Sequence, residues 1–407
     1  MAKAAKDPIF TPAKLGALKL ANRLIRAGCY EGLSRTGRVT EPLQEHHRRL
    51  AEGGIGMTTV SYGAVSFDGR GFGDQIWMRE QIAPELRRLT DGVHRAGAAA
   101  SIQLVHCGFF ADPKVIGGRP LGASPKLCAY RLAVCRQMSP AQIAEKTEDF
   151  GRAARLARES GFDAVEVHAG HGYLLSQFLS PWTNRRTDSY GGSLENRLRF
   201  PAAVVRTVRR AVGPDFPVLV KMNLYDGFRG GLELEEAVEI GRRFESEGAS
   251  ALIPSCGFTA RTPWFMMRGH VPVREMAAGQ PSPLMRAGLL LFGRFMVRTY
   301  PFEPMFLLAD ARRIRQAVGI PVVYVGGALG REAMEAALAE GFAFIQLGRA
   351  TIRDPSFAAR LRSREIQGSD CDQCNRCVAA MDAGGVYCVS ELEGLWSPKP
   401  GRATSRG

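Results

Sequence analysis

No apolar run in these 407 residues reaches the roughly 18 to 20 that cross a bilayer. The nearest, residues 288–297 (GLLLFGRFMV), is interrupted by Arg294. The opening residues, MAKAAKDPIFTP, carry lysines with no apolar stretch behind them, so no secretory signal is read there. A soluble, cytoplasmic protein is expected, with no membrane partner. Cysteine is sparse and odd in number, nine in all, which argues against a disulfide framework. Lys and Arg total 54 against 40 Asp and Glu, a net charge of +14, yet no basic block interleaves with aromatics. Helix-turn-helix and zinc-finger spacings are missing too, so a nucleic-acid partner is not expected. The dispersed positive field suits anionic cofactors and substrates. A GxGxxG turn after the first strand is also lacking; AGCYEGL stands there, against a doubly wound dinucleotide-binding sheet.

What is present is a repeating strand–helix unit. Short branched or apolar runs occur at 24–28, 55–65, 100–105, 164–168, 218–222, 251–255, 322–325 and 344–347. Amphipathic stretches lie between or after them, at 41–52, 79–96, 140–160, 194–212, 232–247, 304–318, 331–340 and 355–366. Several helices end in a glycine that returns the chain to a strand, as in RESGFDAVEV, ESEGASALI and LAEGFAFIQL. Eight such units predict an α/β fold, a closed (β/α)8 TIM barrel over residues 1–366. A cysteine-rich extension (367–396) and a disordered tail (397–407) are expected to follow it. Segments 108–139 and 258–301 exceed the simple unit and fall after strands three and six, at the C-terminal mouth. They are expected to form lids or substrate walls, or to pack a homo-oligomer.

Polar residues at barrel strand ends have chemistry to explain. Strand three carries Gln103 and ends at His106, and strand five carries Lys221 in an otherwise apolar run. Strand four runs out as VEVHAGHGY, bringing His168, His171 and Tyr173 together if the chain turns at Gly170 and Gly172. An imidazole pair beside a phenol is able to polarise a carbonyl and supply a proton. The HxxH spacing also suits two metal ligands, with Glu166 the nearest acid, or two structural histidines. Gly326-Gly327 and Gly348-Arg349 end strands seven and eight, where a parallel barrel commonly cradles phosphate.

The stretch HGYLLSQFLSPWTNRRTDSYGGSLENRLRF resembles the signature of the old yellow enzyme family of FMN oxidoreductases. NRLI, QLVH and the VGG and LGR turns follow the family's order, and the likeness spans about residues 8–366. The GCYEGL loop and the cysteine stretch resemble a subgroup that includes the barrel domain of 2,4-dienoyl-CoA reductase and trimethylamine dehydrogenase. The resemblance implies FMN across the barrel mouth, with Gln103 and Lys221 at the flavin pyrimidine edge. Gly326, Gly327, Gly348 and Arg349 would take its phosphate. His168 and His171 would bind the substrate's activating group, Tyr173 would donate a proton, and Cys29 would pass the flavin or line the substrate pocket. The implied reaction is NADH- or NADPH-driven reduction of an activated C=C bond in an unsaturated carbonyl. Gly108-Phe109 departs from the family's usual Gly-Arg, and the insertion at 258–301 is long.

Four cysteines, Cys371, Cys374, Cys377 and Cys388, follow the barrel as C-x2-C-x2-C-x10-C. Four thiolates at this spacing suit a [4Fe–4S] cluster or a structural zinc, or are plain reduced thiols. Multidomain relatives hold a [4Fe–4S] cluster here, with C-x3-C as the middle interval. A cluster would call for a redox partner. It also opens the alternative of a dehydrogenase or demethylase that passes electrons through the cluster. A non-catalytic flavoprotein electron-transfer module is the remaining reading.

Overall fold

The computed structural model describes residues 7–278 and 283–392, so the expected tail at 397–407 and the end of the cysteine-rich stretch lie outside the described residues. Eight parallel strands form the barrel: β1 (Leu24–Arg26), β2 (Met57–Ala64), β3 (Ala99–Val105), β4 (Ala164–Ala169), β5 (Val218–Asn223), β6 (Ala251–Ser255), β7 (Val323–Tyr324) and β8 (Phe344–Leu347). Each pairs with its sequence neighbour from β1 to β6, while β8 joins β7 to β1. A parallel bridge between Leu252 and Val322, with the Leu252 amide on the Pro321 carbonyl at 3.1 Å, closes the ring between β6 and β7. The expected (β/α)8 barrel is the fold. β7 is shorter than expected because the chain leaves the sheet for the Gly326-Gly327 turn, whose φ angles are 136° and 82°.

Eight helices cover the outside: α1 (Glu41–Glu52), α2 (Ala83–Arg95), α3 (Pro140–Glu159), α4 (Leu194–Val212), α5 (Leu234–Ser246), α6 (Leu308–Ala317), α7 (Arg331–Ala339) and α8 (Phe357–Arg362). α3 begins with a reciprocal cap between Ser139 and Gln142. Gly161, Gly248 and Gly341, just past α3, α5 and α7, all take positive φ (89°, 96° and 89°), so the glycines that punctuate the sequence are turn residues.

The barrel interior is layered. The lower layer is apolar: Ile25, Met57, Ala164, Leu219, Ala251, Ile253, Val323 and Phe344. Leu15 and Leu20, from a hairpin (Ala13–Leu15 with Leu18–Leu20), plug it from below. Burying each large side chain contributes about 1.5–3 kcal/mol. Two residues further along the strands, alternation places Gln103, Glu166, Lys221 and Gln346 inside, forming a polar layer below the mouth.

Above the mouth, the segment after β3 folds into small paired strands, including the hairpin of Leu127–Cys128 with Ala133–Val134. The segment after β6 folds into helices Pro263–Met267, Val273–Ala278 and Pro283–Met296. After α8, residues 371–375 lead into helix Arg376–Gly384, which contains Cys377, and the chain is tied to the barrel by the Val386 amide on the Glu31 carbonyl at 2.7 Å. Among the described residues no helix is long and apolar enough to cross a membrane.

Candidate active site

A cavity of about 540 Å³ opens at the C-terminal end of the strands. Cys29, His171, Tyr173, Lys221, Gly326, Gly327, Gly348 and Arg349 line it. Met276, Val297 and Tyr300 from the β6 insertion and Tyr130 from the β3 insertion form its outer wall. Both insertions therefore border the mouth, as their positions predict. His168 and Gln103 stand behind this surface. Gln103 is fully buried, and a Cβ on Gly28 would lie 3.0 Å from its amide nitrogen. Gly28 thus lets the first strand-end loop lie flat on the strand-three glutamine.

His168, His171 and Tyr173 come together through the turn after β4. His171 itself takes a left-handed conformation (φ 59°), followed by Gly172 (φ 77°), where a Cβ would collide with the Phe258 ring at 2.4 Å. The His168 ring packs edge-on against both His171 and Tyr173, each 4.9 Å between centroids. The Gly170 amide donates to His168 Nδ1 at 3.3 Å, which leaves the ring proton on Nε2. His171 is anchored by its backbone N–H to Asn223 Oδ1 (3.0 Å) and by Nε2 with Ser255 Oγ (2.8 Å). Burial, helped by Lys221, holds His171 down at about 3. Burial, then His171 and Lys221, holds His168 well below the usual imidazole range. Both rings are neutral at physiological pH. Burial, with Cys107 adding to it, pushes the Tyr173 phenol well up, so it keeps its proton. Its hydroxyl lies 3.5 Å from that of Tyr62, which also lines the cavity.

Beneath the mouth, Glu166 gathers three buried donors. Lys221 Nζ lies 2.9 Å from Oε1, Gln103 Nε2 donates to the same oxygen, and Gln346 Nε2 donates to Oε2 at 2.8 Å. Glu166 is thus committed to the barrel's polar layer and does not serve as a third ligand beside the two histidines. Sequence reasoning did not assign roles to Tyr62, Ser255, Asn223 or Gln346. Ser255 and Gln346 had a signal in the strand alternation, since each faces inward near a C-terminal strand end.

Arg349 is more heavily engaged than a free phosphate arm. Its Nη1 donates to the Arg268 carbonyl (2.8 Å) and to Asn375 Oδ1 (2.6 Å). Residues Arg349–Arg353 form a short helix between two cavities, and Arg349 and Ile352 line both. The second cavity, about 150 Å³, is lined by all four of Cys371, Cys374, Cys377 and Cys388. Arg353, paired with Asp370 at 2.8 Å, reaches the Cys388 sulfur at 3.8 Å. These cysteines form no disulfide.

Among the described residues, the trio of ligand atoms mutually within 4.8 Å is Glu31, His46 and His47. The buried Arg26 guanidinium lies 3.8 Å from Glu31, and that fixed positive charge makes the trio a poor cation site.

Residues for a flavin are present in the mouth cavity. Glycine turns after β7 and β8 present backbone without side chains, and Lys221 supplies a buried cation below them.

Comparison with known proteins agrees. The family model described as NADH:flavin oxidoreductase / NADH oxidase matches residues 8–251. The chain is 38% identical over 390 residues to the 4,4'-dithiodibutanoate disulfide reductase of Rhodococcus erythropolis, covering 96% of each. Among solved structures it is similar to 2-naphthoyl-CoA reductase in complex with 2-naphthoyl-CoA, with a TM-score of 0.81 at 25% identity. That match covers 97% of this chain but only 57% of the reductase. An old yellow enzyme homologue from Zymomonas mobilis shares the fold, with a TM-score of 0.71 at 23% identity, covering 90% of this chain and 95% of that one. The chain belongs to the NADH:flavin oxidoreductase / NADH oxidase family of flavin- and NAD(P)H-dependent oxidoreductases.

Proposed function

We propose that this protein is an FMN-dependent reductase that uses NADH or NADPH to reduce an activated C=C bond in an unsaturated carbonyl compound, with Tyr173 as the proton donor. The observation that carries this reading is the grouping of a protonated phenol with two neutral imidazoles above a buried lysine. FMN, when bound, supplies the two-electron store that accepts hydride from the nicotinamide and passes it to the substrate. Lys221, Gly326, Gly327, Gly348 and Arg349 are the residues that would hold it.

The remaining work falls to the chain itself. Addition of hydride to the β-carbon of an enone leaves negative charge on the carbonyl oxygen. His168 Nε2–H, set just behind the cavity lining against the His171 and Tyr173 rings, is assigned as a donor to that charge. His171 becomes a second donor, from Nδ1, when the Ser255 hydroxyl donates to its Nε2. Neutral, prefixed donors in a pocket lined mostly by apolar and aromatic side chains favour the charged transition state over the ground state. Tyr173 then gives its proton to the α-carbon, and Tyr62, 3.5 Å away, stands ready to return one.

A second reading, disulfide reduction, is favoured by the near full-length likeness to the Rhodococcus disulfide reductase. The same groups serve it: hydride to one sulfur breaks the S–S bond, and Tyr173 protonates the departing thiolate, giving two thiols. For the four cysteines we propose a [4Fe–4S] cluster, because all four line one cavity beside the mouth and follow the barrel at a spacing that suits such a cluster. A redox partner and a homo-oligomer belong to the same proposal. The test is anaerobic: bound flavin should bleach on NADH or NADPH and recover on addition of a cyclic enone. Recovery with a dialkyl disulfide alone selects the second reading. Bleaching by a saturated amine, with no response to nicotinamide, selects a dehydrogenase instead.

A further inference from the structure

Lys221 ends in the mouth cavity, yet its charge is already engaged. Its ammonium lies 2.9 Å from Glu166 Oε1, with the two side chains 4% and 1% exposed. Glu166 is held in place from two other strands. Gln103, directly across the β3–β4 ladder, donates to Oε1, and Gln346 on β8 donates to Oε2 at 2.8 Å. A carboxylate only accepts, so both amides must turn their NH2 groups toward it. Three donors from three strands fix its position.

Inside a protein, where screening is weak, a bare ammonium beside a redox ring strongly favours the reduced, more negative ring. A carboxylate held against that ammonium cancels most of its field at the ring. A ring with less stabilised negative charge has a lower potential and parts with hydride more readily. We infer that Glu166 is a positioning residue that sets the potential of the bound flavin, by fixing Lys221 and offsetting its charge, so that the reduced ring stays a strong hydride donor. The inference rests on the reading of the mouth cavity as an FMN site. It assigns a role to a residue that does not line the mouth cavity.

The test is a redox titration of the bound flavin in the purified holoenzyme and in three variants: Glu166→Gln, Lys221→Met, and the two combined. Glu166→Gln should favour the reduced flavin by at least tenfold, a rise in midpoint of about 30 mV for a two-electron couple. Lys221→Met should shift it downward. The double variant, which removes both charges, should lie close to the wild type. Because it leaves no unpaired buried charge, it also guards against loss of either single variant through misfolding. An unchanged or lowered midpoint in Glu166→Gln would overturn the inference, as would a double variant identical to Lys221→Met. If Glu166 only braces the barrel, FMN content or melting temperature will change while the midpoint stays fixed. A wild-type protein that binds no FMN would instead refute the cavity reading on which the inference depends.

Discussion

Arg349 Nη1 sits 2.6 Å from Asn375 Oδ1, joining the turn after the last barrel strand to the middle of the cysteine stretch. Asn375 has a left-handed backbone (φ 57°), is almost fully buried, and also donates to the His270 carbonyl at 2.9 Å. The mouth cavity and the cysteine cavity therefore share a wall built by one short helix and one loop.

This junction predicts separable losses. Asn375→Ala should lower iron content after anaerobic purification while FMN content stays near that of the wild type. Arg349→Met should lower both. Cys374→Ser should remove most of the iron and leave the flavin spectrum in place. Paired iron and flavin assays check all three, and zinc in place of iron would overturn the cluster assignment.

Tyr173→Phe removes the phenolic proton and little else, because the ring keeps its contacts with His168, Tyr62 and Phe110. General acid catalysis typically contributes about 10²–10⁴-fold. The enone half-reaction should slow by about that factor in stopped-flow work, while reduction by nicotinamide is unchanged. An unaffected enone half-reaction would assign the proton to another donor.

The two site histidines make a pH prediction. Burial holds both neutral in the folded protein, His171 down to about 3, whereas in the unfolded chain they titrate near 6.5. Below about pH 6.5 the unfolded chain therefore binds more protons. The stability these sites support is complete above that pH and is lost as pH falls toward 3. Buried His47 and half-buried His46, depressed mainly by desolvation, add to the slope. Melting temperature should fall steadily from about pH 6.5 to 4. Replacing His168 and His171 by Asn should flatten that fall, and a slope unchanged by the double substitution would contradict the assignment.

The barrel was legible because its signals are local. Each strand is a short apolar run, and the glycines at 161, 248 and 341 mark the returns to the sheet. The grouping of His168, His171 and Tyr173 was legible for the same reason, since one turn places all three. The Glu166 hub was not. Its partners lie on β3, β5 and β8, and the Gln346 bond spans 180 positions in sequence. Such a contact is made by closure of the ring, and no local pattern announces it. The hairpin of Ala13–Leu15 with Leu18–Leu20 went unread because its strands are three residues each, too short for alternation to register. The engagement of Arg349 with Asn375 depends on how the cysteine stretch docks, which spacing alone does not determine.

The central claim is that hydride from a nicotinamide reaches a carbon–carbon double bond at this site, and double-mixing anaerobic stopped-flow absorbance tests it most directly. The flavin band should bleach on mixing with NADH or NADPH. It should then recover at a cyclic enone faster than at a dialkyl disulfide, with the recovery slowed in Tyr173→Phe. No bleaching by either nicotinamide, or recovery with the disulfide and none with the enone, would contradict the account.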